Sequence, residues 1–334
     1  MSAPDTCESV LSRYAASELS APVAIMQMLI LSEDANVVAA AIRARASESP
    51  RTLELARLFD ENAEGCARIA SMLQSDMDTP PLRPTARSGA AFCKRLFDWS
   101  VQQSAEASVA LYSLGSAELL RTLTDEIVTV LDAWGVFGPD KVVLDLGCGI
   151  GRMEEALAPR VSHVHGIDVS EKMIDVARRR CASTDNVSLS ICNGLDLAPF
   201  ADHSFDLVLA VDSMPYMVQS GMALVAHHFA EVARVLRRDG DFVILNFSYR
   251  EDVASDRKDI ALLADSNGFD VVVDGTSPFA LWDGTAFRMK KRVAVPLADH
   301  RPQEATRTTA AIRSTAAYAG RSSSSPKTSG SSSS

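Results

Sequence analysis

Apolar positions recur at helical spacing through the first 77 residues. Val10, Leu11, Tyr14 and Leu19 share one face, Val23, Met26 and Ile30 a second, and Val37, Val38, Ala41 and Ile42 a third. Ser32-Glu33-Asp34 reads as a break and cap, and Ser49-Pro50 as a helix start. Leu53, Leu55, Leu58, Phe59, Ala67, Ile69 and Leu73 predict one longer helix. Residues 1–77 therefore read as a small helical bundle, with nothing in it that looks like chemistry. Residues 78–87 read as a Pro-rich linker, because Pro80, Pro81 and Pro84 fall too close together for regular structure. Phe92, Leu96, Trp99 and Val101 open a second helical region that runs to a break at Gly115-Ser116. Leu120, Leu123, Ile127, Val130, Leu131 and Trp134 then mark a strongly periodic helix.

The pattern changes at Val142. Short apolar, β-branched runs now alternate with helical stretches: residues 142–146, 163–168, 187–192, 205–211, 242–247, 271–273 and 287–295 read as strands. Alternating strands and helices predict an α/β fold with an open sheet. Arg152 to Leu157, Ile174 to Cys181, Phe229 to Leu236 and the stretch around Ile260 to Ala264 read as the helices between them. Arg237-Arg238-Asp239-Gly240 reads as a turn ahead of the fifth strand. From Leu297 onward periodicity is lost, and the Ser-rich stretch 297–334 is expected to be disordered.

The first strand carries the most specific signal. Val142-Val143-Leu144-Asp145-Leu146 runs into Gly147-Cys148-Gly149-Ile150-Gly151, and a helix follows. Glycines let the chain turn sharply and let a ligand lie against bare backbone. The helix start beyond them offers free N–H groups. A dinucleotide site wants G-x-G-x-x-G. Counted from Gly147 the last glycine falls at Arg152, and counted from Gly149 it falls at Glu154, so that spacing fails. The second strand ends in Asp168, about 20 residues beyond the first glycine, where a nucleoside site needs an acceptor for a ribose diol.

The pattern Asp-x-Gly-x-Gly-x-Gly after a strand resembles the first motif of the class I S-adenosylmethionine-dependent methyltransferases. The resemblance covers roughly residues 116–295 and implies a doubly wound, Rossmann-like sheet of seven mostly parallel strands, the last antiparallel, with an N-terminal helical region. It implies a methyltransferase domain at 88–296, whose leading helices (88–140, and above all 88–116) are the candidate lid. It implies S-adenosylmethionine as cofactor, with Gly147, Gly149 and Gly151 under its methionine part and Asp145 near its ammonium or sugar. Asp168 is carried over as the ribose ligand and Met173 as an adenine wall. Asn193 stands where the family usually has an acid near the adenine amine, followed by Gly194 and Leu195, with Asp196 as rival. Asp212 and Tyr216, at the exit of the fourth strand, are the candidates for orienting the acceptor or removing its proton. Ser213-Met214-Pro215-Tyr216 is similar to the S/N/D-P-P-aromatic motif of amino-group methyltransferases, with Met where the first proline belongs. Residues 277–284 form a candidate acceptor-facing loop, and His227-His228 read as a helix-surface pair.

Composition narrows the partners. The formal net charge of -10 repels phosphate backbones, which argues against nucleic acid. The six cysteines form no C-x-x-C pair, so neither a zinc site nor a redox pair is indicated. No basic region precedes an apolar core at the N-terminus, and the apolar run from Ala21 to Leu31 is too short to span a bilayer. The expected compartment is the cytoplasm. The expected reaction is methyl transfer to a small molecule at an O, N or C atom. A protein methyltransferase stays open, as does a cofactor-binding regulatory protein without turnover. In the regulatory reading the N-terminal helices would be a partner-docking module, and they are the candidate surface for a protein partner or self-association.

Overall fold

The computed structural model describes residues 6–75 and 84–293. Most of the linker and the Ser-rich stretch lie outside those residues. Helices α1 (Cys7–Ala15), α2 (Ala21–Ser32), α3 (Ala35–Arg45), α4 (Pro50–Glu61) and α5 (Ala63–Leu73) make up the N-terminal region. The first four start at side-chain caps: Thr6, Ser20, Asp34 and Ser49 each accept a backbone N–H from the first turn. The apolar stripe from Leu53 to Leu73 is two helices rather than one. The chain breaks at Asn62, whose backbone is non-helical and whose Nδ2 donates to the Leu58 carbonyl at 2.8 Å. A side-chain bond to a spent carbonyl is a local alternative to the next helical turn, and the stripe continues across the break because both helices face one core.

Helix α6 (Ala86–Gln103) ends at Ser104, which caps the short α7 (Ala105–Val109). A 3-10 turn at Leu111–Ser113 leads to α8 (Ala117–Ala133). The α/β half then runs β1 (Val142–Leu146), α9 (Arg152–Leu157), β2 (His163–Asp168), α10 (Glu171–Arg180), β3 (Val187–Ile191) and β4 (Phe205–Val211). It continues with α11 (Met214–Gln219), α12 (Met222–Val235), β5 (Leu236–Leu245), α13 (Val253–Ser266), β6 (Phe269–Thr276) and β7 (Ala286–Lys291).

The seven strands form one sheet in the order β3-β2-β1-β4-β5-β7-β6. The first five are mutually parallel and β7 is antiparallel to both β5 and β6. The chain builds outward from β1 to β3, then returns to place β4 on the other side of β1. That reversal is a switch point, and a crevice opens beyond the carboxyl ends of β1 and β4. Alternation along the strands explains the two cores. Val143, Leu207, Leu209, Val211, Val243 and Leu245 point to one face. Leu144, Leu146, Val208, Ala210, Phe242 and Ile244 point to the other. The first face packs on α8, α9 and the N-terminal helices in a single continuous core, and the second packs on α12 and α13.

Residues Arg237 to Gly240, expected as a turn, lie within β5 as a bulge. Phe205 pairs with Leu236 and Leu207 with Asp241, so β5 advances five residues against two, and Asp239 takes a φ of +63°. Met214 to Gln219, expected only as a strand exit, is a helix with Pro215 in its first turn.

Candidate functional site

A cavity of about 700 Å³ opens at the switch point and extends under the N-terminal helices. Its floor is the glycine loop. Gly147 N and Cys148 N both donate to the Ile167 carbonyl at the end of β2, at 2.8 and 3.0 Å. Gly147 and Gly149 line the cavity with φ of +80° and +53°. A Cβ on Gly147 would lie 2.6 Å from Ser213 Cβ, and one on Gly149 2.7 Å from Val109 Cγ1. Only glycine satisfies both the backbone angle and the space.

Asp168 closes this floor. Its Oδ2 accepts from Gly149 N at 3.0 Å and its Oδ1 from Ser170 N at 2.8 Å. Each oxygen keeps a further lone pair for a ligand. Burial pushes its pKa up to about 6, against the pull of those backbone bonds. Helix α6 covers this end. Its Asp98 accepts from Ser170 Oγ at 2.7 Å and from Lys172 N at 3.2 Å, which pins the helix to the start of α10. Ala90, Cys93 and Phe97 of α6 line the cavity.

The ends of β4 and β5 form the polar wall. Asp212 and Asn246 follow those strands directly, and both take left-handed backbone angles, φ +56° and +69°. Such residues cost about 1–3 kcal/mol each and are held only where the surroundings overdetermine them. Here Asn246 Nδ2 and Tyr249 Oη both donate to Asp212 Oδ1, at 2.8 and 3.0 Å, while Oδ2 has no hydrogen bond among the described residues. Burial raises the Asp212 pKa to about 6, opposed by the two donors. Tyr216 packs edge-on to Phe97 at 4.9 Å and to Tyr249 at 5.8 Å. Burial and the Asp212 charge push its phenol well above the ordinary tyrosine range, so it stays protonated. Ser213 lines the cavity, and its Oγ is buried with no hydrogen-bond partner among the described residues.

A family model described as "Methyltransferase domain" matches residues 144–244, which span the glycine loop through β5. Over this stretch the chain is similar to S-adenosylmethionine-dependent methyltransferase domains. It is 36% identical over 107 residues to a demethylmenaquinone methyltransferase of Tropheryma whipplei, across 32% of this chain and 42% of that one. It is 31% identical over 177 residues to a demethylmenaquinone methyltransferase of Clavibacter sepedonicus, across 53% and 63%. The chain thus spans about half the length of these curated relatives. It is also similar to phosphoethanolamine N-methyltransferase 1 of Haemonchus contortus, solved with phosphoethanolamine and S-adenosylhomocysteine, at 21% identity and a TM-score of 0.49, covering 64% of this chain and 51% of that chain.

The cofactor of a class I methyltransferase domain is S-adenosylmethionine, and the cavity fits it. The glycine floor leaves room that a Cβ would fill, Asp168 presents a buried carboxylate, and Ser213 Oγ awaits a partner. Of the residues singled out in the sequence, Gly147, Gly149, Asp168, Met173, Gly194, Asp212 and Tyr216 line the cavity together. Asp145, Gly151, Asn193 and Leu195 stand outside its lining. Asp145 lies beneath the loop, fully buried beside Glu154. Burial raises its pKa to about 7, and burial plus the Asp145 charge raises that of Glu154 further. Gly151 caps α9 and packs against Ala177 of α10 and Cys181, the residue that ends that helix. Asn193 folds a turn: its Oδ1 accepts from Leu195 N at 2.7 Å and Asp196 N at 3.2 Å. That turn presents Gly194 and Asp196 to the cavity.

The sequence reading missed several lining residues. Asn246 and Tyr249 follow β5 and were legible only as positions beyond a strand end. His228 is buried rather than on the helix surface. Its Nδ1 faces the Leu224 carbonyl at 3.0 Å, and it lines the cavity, while His227 is exposed. Tyr112 and Trp282 stack at 5.4 Å and form an aromatic wall. Trp282 belongs to the 277–284 loop expected to face the acceptor.

Proposed function

We propose that this protein transfers a methyl group from S-adenosylmethionine to a small-molecule acceptor at a protic atom. The observation that carries the reading is the convergence of the glycine floor, Asp168, Asp212 and Tyr216 on one cavity. When bound, the cofactor supplies an electrophilic methyl group carried on a sulfonium. In this reading Gly147 and Gly149 leave the space for its methionine part, and Asp168 accepts from the ribose hydroxyls. Met173 walls the adenine, with the Gly194 turn beside it. Asp145 and Gly151 hold the loop from below, and Asn193 and Leu195 shape the turn.

Asp212 is the group proposed to receive the acceptor's proton. Its Oδ1 is held by Asn246 and Tyr249, which leaves Oδ2 for the acceptor hydroxyl or ammonium. A base of pKa about 6 is ionised at neutral pH and still has proton affinity. Tyr216 stays neutral and orients the acceptor by packing and by donating from its hydroxyl. Holding the acceptor in line and excluding water supplies the rest, as positioning does in transfer reactions generally.

The test is transfer of label from methyl-tritiated S-adenosylmethionine to a panel of phenols, enols and amines, with Asp212→Asn beside the wild type. Label on a small molecule, lost in the variant while S-adenosylhomocysteine still binds, supports the reading. Label found only on added protein, or cofactor binding with no turnover on any acceptor, contradicts it.

A further inference from the structure

Helix α2 is apolar on every side. Val23, Ala24, Ile25, Met28 and Leu29 are fully buried in the core. The rest of the helix face is not a polar surface, as an amphipathic helix would have. Met26, Gln27, Ile30 and Leu31 line the same cavity as Asp168 and Asp212. Ile30 and Leu31 are each 44% exposed there. A helix that is hydrophobic all round is normally covered all round, and among the described residues no element covers this side. The loop carrying Trp282 is tied to the same helix, because Ser20 Oγ, the α2 cap, donates to the Leu281 carbonyl at 2.7 Å. Trp282 continues the apolar wall with Tyr112 at 5.4 Å and Phe279 at 5.0 Å. The cavity volume of about 700 Å³ lies high in the range of about 300–1,000 Å³ usual for ligand pockets, which leaves space beside a nucleoside.

We propose that α2 reads the acceptor: its cavity face, with the Tyr112–Trp282 wall, receives the hydrocarbon or aromatic body of an amphipathic small molecule whose protic head reaches Asp212. This assignment rests on the methyl-transfer reading and names the class of acceptor. It also gives the N-terminal helices a part in the site itself. The residues involved are Met26, Ile30 and Leu31, with Gln27 and Arg13 at a polar border, where Arg13 Nη1 donates to Gln27 Oε1 at 3.3 Å.

The experiment uses a series with one head and a growing tail: methyl, propyl and hexyl 4-hydroxybenzoate. Each is titrated into the full chain saturated with S-adenosylhomocysteine, in the wild type and in a Met26→Gln/Ile30→Gln double variant. Neither side chain belongs to the fully buried face of α2. Wild-type affinity is expected to rise at least tenfold from methyl to hexyl, since each buried methylene favours binding. The double variant is expected to keep under threefold of that gain and to bind S-adenosylhomocysteine as the wild type does. Ile30→Ala, which adds no polar group, is expected to weaken the hexyl ester several-fold and leave the methyl ester unchanged. A flat series in the wild type, or the full gain retained in both variants, overturns the assignment of α2. Failure of the wild type to bind S-adenosylhomocysteine strikes the methyl-transfer reading instead.

Discussion

Replacing Asp168 by Asn should weaken the cofactor and leave the apo protein as stable as before, or more so. The carboxyl titrates at about 6 in the folded chain rather than at its ordinary 3.8. At neutral pH its charge therefore costs the fold about 3 kcal/mol. Because its pKa is raised, the stability it contributes is fully present below about pH 4 and is lost as pH rises through about 6. An amide removes that charge. It keeps one acceptor, but its NH2 group faces either Gly149 N or Ser170 N, so one backbone bond is lost. That loss is about 1.5–3 kcal/mol for a bond to a charged group, which roughly cancels the gain at pH 7.5. The cofactor keeps no such compensation. Two charge-assisted bonds from the ribose become at best one neutral bond, a loss of about 2–4 kcal/mol, or about 30-fold to 1,000-fold in affinity. Calorimetric titration with S-adenosylhomocysteine at pH 7.5 reads the affinity, and thermal unfolding at pH 5 and 7.5 reads the stability. An affinity within twofold of the wild type in a folded variant would refute the placement of the ribose. A sharp loss of apo stability at pH 7.5 would refute the argument that the carboxylate is held at a cost.

Asp212→Asn should lower turnover by about 10²–10⁴-fold with cofactor affinity within twofold. The wild-type rate should rise with pH through about 6 and then level, because the base must be ionised, and initial rates from pH 5 to 8 check it. Gly147→Ala places a methyl 2.6 Å from Ser213 Cβ on a left-handed backbone. It should lose about 1–3 kcal/mol in urea unfolding and at least tenfold in S-adenosylhomocysteine affinity. Trp282→Ala removes a buried indole stacked on Tyr112 and tilted against Phe279. It should cost about 3–5 kcal/mol in the same unfolding assay.

Much of the α/β half was legible because its signals are local. The runs 163–168 and 205–211 are strands β2 and β4 with the expected bounds. The glycine loop and Asp168, which line one cavity, stood out because glycine alone tolerates the left-handed turn after β1 and an acid ends the second strand. What escaped depends on partners distant in sequence. Nothing in Arg237 to Gly240 says that β5 already pairs with Phe205 at Leu236. The unbroken stripe across Asn62 conceals two helices because both serve one core. His227 and His228 are adjacent in sequence, but helical phase turns them about 100° apart. His228 falls in line with Leu224 and faces the interior, whereas His227 does not. The apolar run of α2 read only as a helix of the bundle, since periodicity does not tell a face packed on protein from one that lines a cavity.

The measurement that bears most directly on the central claim is calorimetric titration of the full chain with S-adenosylmethionine and S-adenosylhomocysteine, beside a nicotinamide dinucleotide. The account predicts saturable binding of both sulfur nucleosides and none of the dinucleotide. Binding of the dinucleotide alone, or of none of the three, would contradict it.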